Sequence, residues 1–181
     1  MQRTENTYQI VWFTTNLRIQ DNTVLQAALQ KNKPVIAVYC FDPRHFNKTK
    51  YGFKKTEKFR AKFLIESVKD LKKNLSVLNI PLFVYCNKPE HVLQKLTEKF
   101  KCSTLHFQKE FTFEENKVIN ALKATLSKKV KLISYSDQYL FHPDDINLVA
   151  SQIPQVFSQF RKHVEKHCMV RPSLKPFSKQ L

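Results

Sequence analysis

The sequence predicts an α/β fold, a Rossmann-like three-layer α/β/α sandwich built on a five-stranded parallel sheet. Two observations carry this expectation. Runs rich in β-branched and aromatic residues, Tyr8 to Phe13, Pro34 to Cys40, Pro81 to Cys86, Thr104 to Phe107 and Lys131 to Tyr135, alternate with longer stretches of helical period. Each run is also too continuously apolar for a sheet wetted on one face, so helices are expected to cover both faces. With 42% hydrophobic and 25% charged residues over 181 positions, the chain is suited to one compact domain with a sizeable core.

The elements follow in order. After the first strand, Asp21 and Asn22 offer side-chain acceptors to a helix carrying Val24, Leu25, Ala28 and Leu29 inward. The longest helix is expected from about Thr56 to Leu78. Its Phe59, Phe63, Leu64, Val68, Leu71 and Leu75 recur at steps of three and four and read as core packing, with Lys58, Glu66, Lys69 and Lys72 outward. Asn87 is a candidate cap for a third helix, with Pro89 in its first turn and Val92, Leu93, Leu96 and Phe100 facing the sheet. A fourth helix is expected over about Glu114 to Leu126. Asp137 to Ala150 reads as a loop, and Pro154 to Cys168 as a last helix bearing Val156, Phe157, Phe160 and Val164. The domain thus spans 8–168, with a polar tail at 1–7 and a linker or tail at 169–181 that holds Pro172 and Pro176 without periodicity.

Composition excludes several function classes. The one glycine, Gly52, rules out a G-x-G-x-x-G turn and a Walker loop, and neither G-x-S-x-G nor H-E-x-x-H occurs. Cys40, Cys86, Cys102 and Cys168 are scattered and, like the six histidines, lack metal-ligand spacing, so reduced thiols and structural histidines are expected. No apolar run reaches the roughly 18 residues of a membrane span. Met1 to Thr7 has no secretory-signal character, which points to a cytoplasmic protein. The net charge of +16 admits two readings, a polyanionic partner such as DNA or a basic solvated surface. Much of the excess is lysine along helix faces rather than a stripe with stacking aromatics.

Four segments carry a resemblance. Val11-Trp12-Phe13-Thr14-Thr15-Asn16-Leu17-Arg18-Ile19-Gln20-Asp21-Asn22 resembles the V-W-F-R-x-D-L-R-x-x-D-N opening of photolyases and cryptochromes. Tyr39-Cys40-Phe41-Asp42-Pro43-Arg44-His45-Phe46 and the stretch from Gly52 through Phe59-Arg60 to Glu66-Ser67 are similar to Y-C-F-D-P-R-x-F, F-P-K-T-G and F-R-x-x-F-L-x-E-S of the DASH branch. Pro154-Gln155-Val156-Phe157-Ser158-Gln159-Phe160-Arg161-Lys162 is similar to P-x-V-F-T-Q-F-R-K. The sequence departs from the pattern at Thr14 and Asn16, at Lys54 and Glu57, and around Glu110.

The resemblance implies strand order 3-2-1-4-5 and a folate antenna, methenyltetrahydrofolate, in a cleft at the carboxyl ends of the strands, where open α/β sheets place ligands. It implies that Glu110 accepts hydrogen bonds from the pterin, since a carboxylate matches paired N–H donors. Glu114, beside Glu115, reads either as part of that site or as an acidic residue at a helix N-terminus. Phe13 and Phe41 read as stacking partners or as core. Arg18 and Arg44 meet carboxylates or DNA phosphates, or brace their loops through Asp21 and Asp42. Trp12, the one tryptophan, reads as core, so no photochemical relay fits within the chain.

No catalytic residue is expected. The resemblance implies a chromophore-holding domain that supports light-dependent repair of pyrimidine dimers, or blue-light sensing, together with a flavin-binding helical domain; FAD is not expected to bind this chain alone. The alternative is a stand-alone basic module that binds nucleic acid or a partner protein, its chromophore site vestigial. A third is docking in trans onto a separate flavin domain, for which Phe157 and Phe160 would be exposed. A monomer is expected.

Overall fold

The computed structural model describes residues 7–177. The chain alternates β1 (Gln9–Phe13), α1 (Thr23–Leu29), β2 (Val35–Cys40), α2 (Lys58–Val77), β3 (Leu82–Tyr85), α3 (Pro89–Lys99), β4 (Thr104–Gln108), α4 (Phe113–Thr125), β5 (Lys131–Tyr135) and α5 (Phe157–His167). All strand pairs are parallel and the sheet order is β3-β2-β1-β4-β5, as the resemblance implied.

The two-residue alternation of the central strands divides the core into two layers. Ile10 and Trp12 of β1 join Ile36 and Val38 of β2 beneath Leu93, Leu96 and Leu122 of α3 and α4. Val11 and Phe13 point the other way, with Ala37, onto Val24 and Leu25 of α1 and Leu71 and Leu75 of α2. Three-layer packing is thus complete over β1, β2 and most of β4, but not at the edges. Val84 of β3 is 41% exposed and Lys131 of β5 is exposed. Edge strands have a neighbour on one side only, and the four helices of the two layers cannot reach across all five strands.

One polar line crosses this core. Gln9 Nε2 donates to the Ala28 carbonyl at 3.0 Å. Gln9 Oε1 lies 2.8 Å from His106 Nε2, and His106 Nδ1 lies 2.9 Å from the Tyr135 hydroxyl. The line satisfies side chains that would otherwise be stranded between apolar layers. Burial lowers the His106 pKa to about 4, the nearby Lys31 charge adding to the effect, so the ring is neutral at pH 7.

Local chemistry explains the helix ends. Asn22 caps α1, its Oδ1 accepting from the Leu25 N–H at 3.0 Å while its Nδ2 donates to the Arg18 carbonyl at 2.8 Å. Thr112 caps α4 and donates to Glu115 Oε2 at 2.6 Å. With one glycine in the chain, the left-handed positions after α2 and α3 fall to Asn79 (φ 57°) and Lys101 (φ 47°). The next amides close each end, Ile80 N–H to the Leu75 carbonyl at 3.1 Å and Cys102 N–H to the Thr97 carbonyl at 2.8 Å. The expected Asn87 cap is not formed. Helix α3 takes its cap position one residue later, at Lys88, because Pro89 with its fixed φ starts the first turn, and Asn87 instead accepts from the Lys88 N–H.

Two helices depart further from expectation. In α2, Val68, Leu71 and Leu75 are buried as expected, but Phe59 is 83% and Phe63 67% exposed. A 20-residue helix is roughly 30 Å long, whereas a six-residue strand spans about 20 Å, so the first turns of α2 overhang the sheet. In α5, which begins at Phe157 rather than Pro154, Val164 is buried but Val156 and Phe157 are exposed. Phe157, Phe160 and Val164 instead line one wall of an apolar groove of about 550 Å³ whose other wall holds Phe111, Leu140 and Phe141. Among the described residues no helix is long and apolar enough to cross a membrane.

Candidate ligand cleft

A cleft of about 880 Å³ opens beyond the carboxyl ends of β1, β4 and β5, the side of the sheet where the strand order reverses. Strand termini converge there with unsatisfied backbone groups and loop side chains, which is why such switch points hold ligands in open α/β sheets. Asn16 and Arg18 enter it from the loop after β1, Gln108 and Lys109 from the end of β4, and Tyr135, Asp137 and Gln138 from the end of β5. Arg171 and Leu174 close one rim.

Asp137 fixes the walls relative to one another. Its carboxylate accepts from the Thr23 N–H at 3.1 Å and the Thr23 hydroxyl at 2.8 Å, and Arg18 lies 3.4 Å away. The loop after β5 is thereby stapled to the start of α1, where a negative charge is favourable. Arg18 Nε and NH2 also donate to the Asp21 carbonyl at 3.0 and 2.8 Å, across the left-handed turn that Asp21 makes at φ 46°. The segment after α5 returns over the rim. Arg171 grips Asp145 through two bonds of 2.6 and 2.7 Å, and the Leu174 N–H donates to Asp21 Oδ1 at 2.9 Å.

Glu110 lies next to the cleft, bonded to its lining residue Gln108 but not itself part of the lining. Its Oε1 accepts from the Thr14 hydroxyl and from Gln108 Nε2, each at 3.1 Å, and Gln108 also donates to Thr15 at 2.7 Å. Burial, aided by the Glu115 charge, raises the Glu110 pKa against these hydrogen bonds. The carboxylate is therefore under-solvated where it stands. Asn16 is 2% exposed and lines the cleft, its Oδ1 accepting from the Thr14 N–H at 3.1 Å while its Nδ2 finds no partner. A buried amide donor without an acceptor is costly, on the order of 1–3 kcal/mol.

The other expected site residues are placed elsewhere. Phe13 is fully buried under α1 and α2, so its ring is core and presents no face to a ligand; β1 is the central strand and is covered on both sides. Phe41 is half-buried beyond β2, edge-on to Tyr39 at 4.9 Å, on the far side of β1 from the cleft. Glu114 is exposed and pairs with Lys55, whose hydrogen bond and charge lower its pKa. Arg44 braces its loop, bonding Asp42 at 2.5–2.9 Å and Glu90 at 2.9–3.0 Å, with both carboxylates buried. Burial alone would raise the Asp42 pKa, but the hydrogen bonds from Arg44 outweigh it and hold Asp42 low.

Gln108, Tyr135, Asp137 and Asn16 were missed as cleft residues by sequence reasoning. The rule that ligands sit beyond strand ends reaches Gln108 and Tyr135 once β4 and β5 are located. Asp137 carries no such signal, because its role depends on contacts with Thr23 and Arg18 across the sheet, and Asn16 acts through local contacts in the loop after β1.

This fold and cleft define a family. The sequence matches the family model for DNA photolyase over residues 9–179, and the chain belongs to that family. Within it the similarity is to the DASH branch. The chain is 41% identical over 91% of its length to cryptochrome DASH of Gloeobacter violaceus, covering 33% of that protein. It is 39% identical over 88% of its length to cryptochrome DASH of Danio rerio, covering 31%. Its fold superposes on a cryptochrome from Synechocystis sp. PCC6803 with a TM-score of 0.90 at 32% identity, over 94% of this chain and 36% of that one. An archaeal photolyase from Sulfolobus tokodaii shares the fold alone, with a TM-score of 0.77 at 23% identity, over 91% of this chain and 36% of that one. The chain spans about a third of the length of the curated relatives it matches.

Proposed function

We propose that this chain is the chromophore-holding α/β part of a DASH-type cryptochrome or photolyase, and that its cleft takes the pterin of methenyltetrahydrofolate. The observation that supports this most is the under-solvated Glu110 carboxylate, which is bonded to Gln108 of the cleft lining. A pterin edge presents adjacent N–H donors, which would restore to Glu110 the solvation that burial removes. Arg18, with a half-exposed guanidinium, is placed to meet the carboxylates of the folate tail.

When bound, such a chromophore absorbs light and passes the excitation onward. The chain's own task is to hold and orient it: Thr14 and Gln108 fix the Glu110 carboxylate, and Asp137 fixes the loop that faces it. Light-dependent repair of pyrimidine dimers, or blue-light sensing, belongs in this reading to the assembly with a flavin-binding domain, with no catalytic residue in residues 1–181. FAD is not a ligand of this chain alone.

Absorption and fluorescence titration with methenyltetrahydrofolate, with FAD in parallel, tests the proposal. Saturable binding of the folate with a shifted absorption band is expected, weakened at least tenfold by Glu110→Gln, because the amide's NH2 opposes the pterin donors. Folate binding that is absent, or unchanged in the variant, overturns it, as does preferential binding of FAD.

A further inference from the structure

Helix α5 carries two histidines, His163 and His167, spaced so that one stands a turn above the other on the same face. Their ring centroids lie 4.4 Å apart, with 36° between the ring planes. His167 Nδ1 lies 2.9 Å from the His163 carbonyl oxygen. A carbonyl only accepts, so this nitrogen carries the hydrogen of the neutral ring and Nε2 keeps its lone pair. Among the described residues no hydrogen bond or ion pair engages His167 Nε2 or either ring nitrogen of His163.

The surroundings leave this stripe open. His167 is exposed and His163 half-buried. Lys162 and Lys166, each next in sequence to a histidine, project roughly 100° away round the helix. Arg161 and Glu165 engage each other at 3.6 Å. Cys168 leaves the helix in extended conformation, at φ −114° and ψ 142°. Neither histidine lines the apolar groove that Phe160 and Val164 face.

Three features suit a metal cation. Two imidazoles at this spacing on one helix are a ligand pair that a single ion can bridge. The backbone carbonyl that holds His167 Nδ1–H is the outer-shell contact that fixes the tautomer of metal-binding histidines and turns Nε2 outward. His167 is also the last residue of α5, where the helix dipole favours positive charge. Imidazole nitrogen selects the cation: Mg2+ and Ca2+ require oxygen ligands, whereas Ni2+, Cu2+ and Zn2+ accept it. Among the described residues no third His, Cys, Asp or Glu joins the pair. The remaining coordination positions therefore fall to water, which distinguishes this site from a closed structural zinc site with four protein ligands.

We propose that His163 and His167 chelate one late first-row divalent cation, of the Ni2+, Cu2+ and Zn2+ class, through two imidazole nitrogens. The site goes beyond the folate reading and does not depend on it, since neither histidine lines the cleft.

Isothermal titration calorimetry of the chain with Ni2+, which leaves thiols unoxidised, tests the proposal. Saturable binding of one Ni2+ per chain is expected, and excess Mg2+ should not displace it. His163→Ala and His167→Ala should each weaken binding at least about tenfold, since losing a ligand costs no less than losing an outer-shell partner. His91→Ala, at an exposed histidine of α3, should leave the affinity unchanged. Ni2+ should also raise the unfolding midpoint of the parent, because only the helix holds the two rings together, and this rise should vanish in His167→Ala. His167 is exposed, so that variant keeps the parent's circular dichroism. No saturable binding, or equal affinity in the parent and both α5 variants, overturns the proposal. Binding that survives His163→Ala but is lost in Cys168→Ser also overturns it, by assigning the metal to the thiol.

Discussion

The two halves of α2 have the same apolar spacing and opposite fates. In the second half Val68, Leu71 and Leu75 are sealed against β1 and β2, Leu75 with no exposed surface; in the first half Phe59, Phe63 and Ile65 stand in solvent. A helical period shows that a helix has an apolar face. What covers that face is set by the length of the surface beneath it, and here the sheet ends before the helix does.

The largest test of this contrast is Leu71→Ala set against Phe63→Ala. The first opens a cavity between helix and sheet and should cost about 3–4 kcal/mol in urea unfolding, while the second should stay within about 0.5 kcal/mol. Comparable losses would mean that the first half of the helix is packed after all.

A buried group that is polar sharpens the contrast next. His106 has no exposed surface and its folded pKa is lowered to about 4, against 6.5 unfolded. Between those values the unfolded chain binds a proton that the folded chain does not, so stability rises with pH across that window. The contribution is complete above pH 6.5 and is lost as pH falls toward 4, on the order of 3 kcal/mol in all. His106→Gln should flatten that part of the stability curve; a slope unchanged in the variant would remove His106 as its source.

The smallest effect lies at the helix end on the buried side. Asn79→Gly relieves a left-handed residue without touching a contact and should raise the unfolding free energy by about 0.5 kcal/mol. A loss of stability would show that the Asn79 side chain holds something that its backbone does not reveal.

The strands were legible in the sequence to within a residue at each end, because runs such as Val35–Cys40 owe their pattern to the environment that buries them. Strand order was not contained in that pattern and came from the family resemblance. The helix faces were legible only where helix and sheet coincide, which is why Val92, Leu93 and Leu96 are packed as expected and Phe59 and Phe63 are not. Arg18, in the cleft, could be anticipated from its place after a strand, and Glu110, next to the cleft, from the family resemblance. Phe13 could not be separated from its neighbours, since a strand end looks alike whether the next side chain faces ligand or core. Phe59 and Phe63 read as interior from their helical spacing, and only the overhang of α2 beyond the sheet shows them exposed.

The polar line through the sheet also fixes the direction of its protons. Gln9 Nε2 donates to the Ala28 carbonyl, so the amide oxygen is the group that faces His106 and must accept from it. The neutral ring therefore carries its hydrogen on Nε2 and leaves Nδ1 bare. The Tyr135 hydroxyl can fill that bond only by donating, which commits its one hydrogen inward. Any further hydrogen bond to the Tyr135 oxygen must come from a donor. A carboxamide at position 9, at the opposite end of β1 from the cleft, thus sets the polarity of a tyrosine in its wall.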